Sequence, residues 1–170
     1  MGWLPEGYKV PKQAGAYMKF EDGANKFRIL SAPVLGYEYW DKENKPVRSR
    51  EQFKTTPSDA RLEEGQFKPK HFWAFVVWNY AYGKLQILEI TQAGIQRNIE
   101  ALAFNQDWGT PTEYDLNVNR TGKELNTEYT VQPSPVRSAP KEATDALANT
   151  SINLDALFSG ENPFGEKEDG

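Results

Sequence analysis

Phe72-Trp73-Ala74-Phe75-Val76-Val77-Trp78-Asn79-Tyr80, the turn Ala81-Tyr82-Gly83 and the return Lys84-Leu85-Gln86-Ile87-Leu88-Glu89-Ile90 decide the fold class of this 170-residue chain. The first run is aromatic and β-branched and apolar on both alternating faces, the composition of a strand. The second returns with Leu85 and Ile87 on one side, so the pair reads as a hairpin. Toward the N-terminus, Lys26 to Leu30 and Val34 to Trp40 read as one long strand broken at Pro33, since proline cannot donate to a ladder and sits at bulges or edges. Toward the C-terminus, Thr91 offers an N-cap oxygen, and Ile95, Ile99 and Leu102 recur at helical spacing until Trp108-Gly109-Thr110-Pro111 ends the pattern. Tyr114 to Val118 and Leu125 to Val131 alternate apolar with polar residues and predict two last strands joined through Thr121-Gly122-Lys123.

Three strands, a helix and two strands is the order of the oligonucleotide-binding (OB) fold, which is mainly β. The expectation is therefore a five-stranded Greek-key β-barrel with one helix between strands 3 and 4. Other α+β sheets share that order. Asp41 to Lys70 shows no sustained period and reads as a long excursion, a length at which loops are functional or disordered.

Composition narrows the function. The chain has no cysteine and one histidine, His71, which excludes disulfide frameworks, thiol catalysis, Cys-ligated zinc and multi-histidine metal sites. No cofactor is expected. The longest apolar run, Phe72 to Trp78, is far short of the roughly 20 residues of a membrane span, and Pro5, Glu6 and Gly7 interrupt any export signal. The expectation is a soluble, intracellular protein without a membrane partner.

The net charge of −4 is unevenly distributed: 18 basic and 17 acidic residues lie up to Arg137, but 2 and 7 beyond it. Of the aromatic residues, only Phe158 and Phe164 fall in that last part. So little apolar surface does not offset the entropy of ordering, so residues 1–137 read as the binding domain and 138–170 as a linker and disordered acidic tail. Pro133, Pro135 and Pro140 mark the boundary.

Single-stranded nucleic acid is held by rings that stack on bases and cations that follow phosphates. Lys45, Arg48, Arg50 and Lys54 crowd the long excursion, and Lys68 and Lys70 lead into the aromatic strand. One face of a small-barrel strand must point out of the core, and Asn79 on the Trp73 side favours Trp73 and Phe75 as the outward rings. Arg28, opposite Phe27 and Ile29, is the expected phosphate contact on that face.

Several phrases resemble bacteriophage single-stranded DNA-binding proteins across about residues 8 to 135: Tyr17-Met18-Lys19-Phe20 with Gly23, Phe27-Arg28-Ile29-Leu30-Ser31, Gly36-Tyr37-Glu38-Tyr39-Trp40, Lys45-Pro46-Val47-Arg48-Ser49, His71 to Tyr80 and Gln86-Ile87-Leu88-Glu89-Ile90-Thr91-Gln92. The resemblance implies an OB fold, sequence-independent binding of single-stranded DNA, with RNA left open, and work in phage replication, recombination or repair in the host cytoplasm. Arg28, Tyr37, Tyr39, Trp40, Arg48 and Trp73 occupy matching positions and, with Arg50, Lys54, Lys70 and Phe75, make up the expected DNA-binding set. Some wider phage relatives carry a zinc site, which this composition cannot build. The acidic end, with apolar anchors Phe158 and Phe164 beside Glu166, Glu168 and Asp169, is the expected docking site for replication or recombination proteins. It is also a tethered polyanion able to compete with DNA, and its removal from Ser151 onward is expected to leave the fold intact.

Two other classes stay in view. Aromatic platforms also bind carbohydrate or protein, although sugar binding has no use for Lys45, Arg48, Arg50 and Lys54. Asp107, Glu113 and Asp115 could form the carboxylate cluster of a metal-dependent nuclease. His71 has no sequence-near acid or nucleophile for a relay, there is no Walker-type phosphate loop, and the chain reads as a binding protein and not an enzyme.

Overall fold

The computed structural model describes Trp3, Leu4, Glu6 and residues 15–165, and its seven strands form one antiparallel sheet. β1 (Gly23–Ile29) and β2 (Val34–Trp40) are followed by β3 (Pro46–Ser49), β4 (Lys70–Asn79) and β5 (Lys84–Ile90). β4 and β5 form the central hairpin, with Trp73 opposite Ile90 and Asn79 opposite Lys84. β1 and β2 lie end to end along the other edge of β4, with Ile29 opposite Val77 and Val34 opposite Ala74. At the bend between them Ser31 Oγ accepts the Val76 N–H at 2.9 Å, so a side chain satisfies the donor that the interrupted strand leaves free. β3 pairs with β2, within the stretch expected to hold no element. β6 (Asp115–Thr121) pairs with β1, and β7 (Glu128–Pro133) with β6.

The sheet is open, which corrects the expected five-stranded Greek-key barrel. Its order is β3-β2-β4-β1-β6-β7 with β5 on the far edge of β4, and β5 and β7 do not pair. Two features occupy the space that closure would need. Residues 16–18 run along β5, where Met18 N–H donates to Ile87 O and Ile87 N–H to Ala16 O, both at 2.8 Å. The helix α1 (Ala93–Ala103) packs against β7 and sets Ile95 and Ile99 into a core with Phe27, Phe75, Leu88, Ile90, Leu116 and Val118. Its N-cap is Gln92, without a side-chain bond, so Thr91 does not serve. Leu125 stands fully exposed in a 3-10 turn, Glu124–Asn126, so the last strand begins only at Glu128.

The opposite face of the hairpin is also covered. Phe72, Ala74, Val76 and Trp78 of β4 point there with Leu85 and Ile87 of β5, and the chain beyond Arg137 lies over them. The helix α2 (Lys141–Ala148) buries Ala143 against Val76, Trp78 and Leu85, and a 3-10 helix, Leu154–Ser159, buries Leu157 against Phe72, Ala74 and Ile87. This corrects the expected disordered tail as far as residue 165. Burying a side chain the size of Leu157 contributes about 1.5–3 kcal/mol, which is how a segment with few apolar residues becomes ordered. Gly36 makes the fit possible: a Cβ there would stand 2.9 Å from the Phe158 ring and 2.6 Å from Ser49 O. Glu166, Glu168 and Asp169 lie outside the described residues.

Candidate nucleic-acid interface

At the end of the sheet where β2, β3 and the start of β4 meet, the long excursion is folded, not loose. Phe53 and Phe67 pack edge-on against Tyr39, with centroids 5.0 and 5.5 Å away, and the Tyr39 hydroxyl donates to Asp59 at 2.8 Å. Burial first, and then that bond to Asp59, pushes the Tyr39 phenol up to about 12, so it stays a donor at neutral pH. Tyr39 is therefore a buried anchor of the loop, a correction to its place among the expected DNA contacts. Arg61 N–H donates to Trp40 O at 2.8 Å and fixes the returning chain beside β2.

That return builds a small cleft. Trp40, 41% exposed, lines it with Arg61, Lys68 and Lys70. Glu38 and Glu63 are its acids. Lys68 pairs with Glu64 at 3.3 Å, Arg61 bonds Asn44, and Lys54 and Lys70 are exposed and pair with no acid among the described residues. On the other side of the same strands Tyr37 packs against His71 with the rings tilted by 42° and their centroids 5.0 Å apart. His71 Nδ1 is hydrogen-bonded to Gly36 O, which accepts at 2.8 Å. Trp73 is half-buried next to it. An exposed ring, a half-buried ring and free cations within one sheet end can stack bases and neutralise phosphates.

Other expected contacts are placed elsewhere. Phe75 is 2% exposed in the core under α1, a correction to the outward assignment of that residue. Arg28 is also 2% exposed: it donates to Thr112 O at 2.9 Å and Arg137 O at 2.6 Å and pairs with Asp115 at 3.3 Å, so no surface of it is free for a phosphate. Arg48 is wedged between Glu38 at 3.2 Å and Glu89 at 2.7 Å and covers the Phe72 ring, a buried group where a mobile loop cation was expected. Burial first, and Glu89 second, push the Glu38 carboxyl up to about 8, with Arg48 pulling the other way. Arg50 is exposed but occupied: it donates to Asp155 at 2.6 Å and lies 4.1 Å over the Phe158 ring. Phe158 and Phe164 thus rest on the chain's own sheet, Phe158 against Phe72 at 5.8 Å.

The carboxylates considered for a nuclease do not converge. Asp115 is fully buried and saturated by Arg28, Arg137 and Tyr80, while Asp107 and Glu113 are exposed. Among the described residues no group of three or more His, Asp or Glu side chains is placed to hold a metal ion, and no helix is long and apolar enough to cross a membrane. Arg61 was not among the expected contacts, because its neighbour Trp40 is twenty-one positions away in sequence.

The sequence is distantly similar to that of a phage protein. A protein of Escherichia phage T5, named "Probable ssDNA-binding protein", is 27% identical to this chain over 139 residues, 68% of this chain and 54% of the relative. The chain thus spans about half the length of that relative. No protein-family model matches the chain, and no solved structure matches it.

Proposed function

We propose that this protein binds single-stranded DNA with little sequence preference, at the sheet end formed by β2, β3 and the start of β4. The observation that carries the reading is Trp40, 41% exposed in a cleft that it shares with Arg61, Lys68 and Lys70. A ring accepts any base by stacking, and cations follow the backbone without reading it. The name of the phage T5 relative supports the same ligand class. In this reading Trp40 and Tyr37 stack, Lys54, Lys68, Lys70 and Arg61 meet phosphates, and the protein covers single strands during phage replication, recombination or repair. RNA offers the same faces and phosphates and is expected to bind as a competitor. A carbohydrate would use the rings but not the lysines.

The test is a titration of labelled oligo(dT) and of duplex at two salt concentrations. Affinity should fall with salt by a slope of about −0.7 per phosphate neutralised on a single strand. Lys70→Ala should reduce that slope by one contact, Trp40→Ala should weaken binding without changing it, and duplex should bind far less. Equal affinity for duplex, or indifference to salt, overturns the reading.

A further inference from the structure

Behind this sheet end, on the face under α1, a groove of about 490 Å³ opens between the β1–β2 bend, β4 and the C-terminal half of the helix. Sites for small organic ligands have volumes of about 300–1,000 Å³. Its floor is Trp73 and Phe75, its walls Leu35, His71 and Phe104, and Glu100 is the one acid among its described lining residues. Leu35 sits directly opposite Trp73 and Tyr37 directly opposite His71, so four side chains form one flat patch. At the far wall Phe104 is 83% exposed, a large ring held in water at the end of α1. Exposed apolar surface of this kind marks a binding site more often than isolated exposed residues do.

We infer that this groove receives unpaired nucleobases of the bound strand, between Trp73 and Phe104, as a second stacking station separate from Trp40. The inference rests on the proposed binding of single-stranded DNA and adds where the bases go. Three observations select a base over other occupants. The groove and the candidate interface meet at the start of β4, where the consecutive residues Lys70 and His71 face opposite sides of the sheet. Its described lining residues include no lysine or arginine, so it takes the uncharged part of a nucleotide, and its few polar groups leave base identity unread. Exposed cations lie on α1 and on the long excursion. Arg97 is exposed two helical turns before Phe104, on the same flank of α1, and Lys54 is two residues from Gln52, which donates to the Tyr37 hydroxyl at 3.3 Å. Bases in and phosphates out is the arrangement that single strands require.

The test measures binding of oligo(dT), and of an abasic strand of equal length, to the full chain and to Phe104→Ala, with sedimentation of each. Phe104 is exposed, so the substitution leaves the core intact. Phe104→Ala should weaken oligo(dT) binding by about five- to 150-fold, the range spanned by one stacked base. Binding of the abasic strand and the salt slope should not change, and Phe104→Trp should restore the loss. If Phe104→Ala binds oligo(dT) like the wild type while Lys70→Ala weakens it, the groove is overturned and the DNA-binding reading stands. If the wild type binds neither strand, that reading fails and the groove with it. Unchanged DNA binding with loss of self-association would make the groove an interface between copies of the chain and overturn the inference.

Discussion

Arg50 donates to Asp155 at 2.6 Å across 105 residues of sequence, and so ties the loop that carries the interface to the C-terminal segment. Both side chains are more than half exposed, and exposed pairs are worth about 0.2–1 kcal/mol and weaken with salt. Asp155→Asn should therefore free Arg50 for phosphate and tighten oligo(dT) binding by up to about fivefold at low salt. The gain should vanish at physiological ionic strength. Fluorescence titration at the two salts checks this, and no change at low salt would show that Arg50 does not reach DNA.

Residues 138–165 are part of the fold. Leu157 is 1% exposed between Phe72, Ala74 and Ile87. Leu157→Ala should cost about 2–5 kcal/mol, as buried leucines do. Removal of residues from Ser151 onward should lower the urea midpoint further, because it bares Phe72 and Ile87 together. That reverses the expectation of an intact fold after truncation. Docking of a partner on Phe158 requires the segment to leave the sheet first.

The hairpin was legible because an unbroken aromatic and β-branched run, followed by a short glycine-ended turn and a second apolar run, has one reading. The same run held the clue to the tail. A strand apolar on both faces is covered on both, and taking one face as open follows only if no later segment can cover it. Ala143, Leu157 and Phe164 are too few and too diluted by acids to show a period, so their role emerges only in the packed structure. Pro46 and Arg48 hide β3 for the same reason. Arg28 and Arg48 read as phosphate contacts because their partners, Asp115 and Glu89, lie 87 and 41 residues away. Trp40, Lys54 and Lys70 are exposed, whereas the signal for Phe104 is weaker: it falls off the Ile95, Ile99 and Leu102 stripe and is an apolar ring outside it.

Asp115 joins β1, β6 and the root of the tail, accepting bonds from Tyr80 at 2.6 Å, Arg137 at 2.6 Å and Arg28 at 3.3 Å. Burial by itself would raise its pKa, but the bonds from Tyr80, Arg137 and Arg28 outweigh burial and hold the carboxyl below its ordinary range. A depressed folded-state value contributes stability above the unfolded pKa, and that stability is lost as pH falls through the folded value. Unfolding free energy should therefore drop on acidification below about pH 4. Asp115→Asn should remove that dependence at a cost of about 3–5 kcal/mol at neutral pH, because it leaves Arg28 buried without its counterion. Denaturant melts of both proteins across acid pH decide this.

Glu38 acts with the opposite sign. Its carboxyl is 5% exposed, and burial and Glu89 raise it from an ordinary 4.5 to about 8. A raised folded-state value contributes stability that is fully present below the unfolded pKa and is lost as pH rises through the folded one. Between about pH 5 and 8 the unfolded chain releases this proton and the folded chain keeps it. Each pH unit then removes up to about 1.4 kcal/mol for a single such group. Glu38→Gln supplies a permanently neutral side chain of the same shape and leaves Arg48 paired with Glu89 alone. The variant should match the wild type near pH 5, decline less toward pH 8 and become the more stable protein there. Parallel slopes for the two proteins across that window would show that Glu38 is ionised in the fold and that Arg48 holds both carboxylates charged.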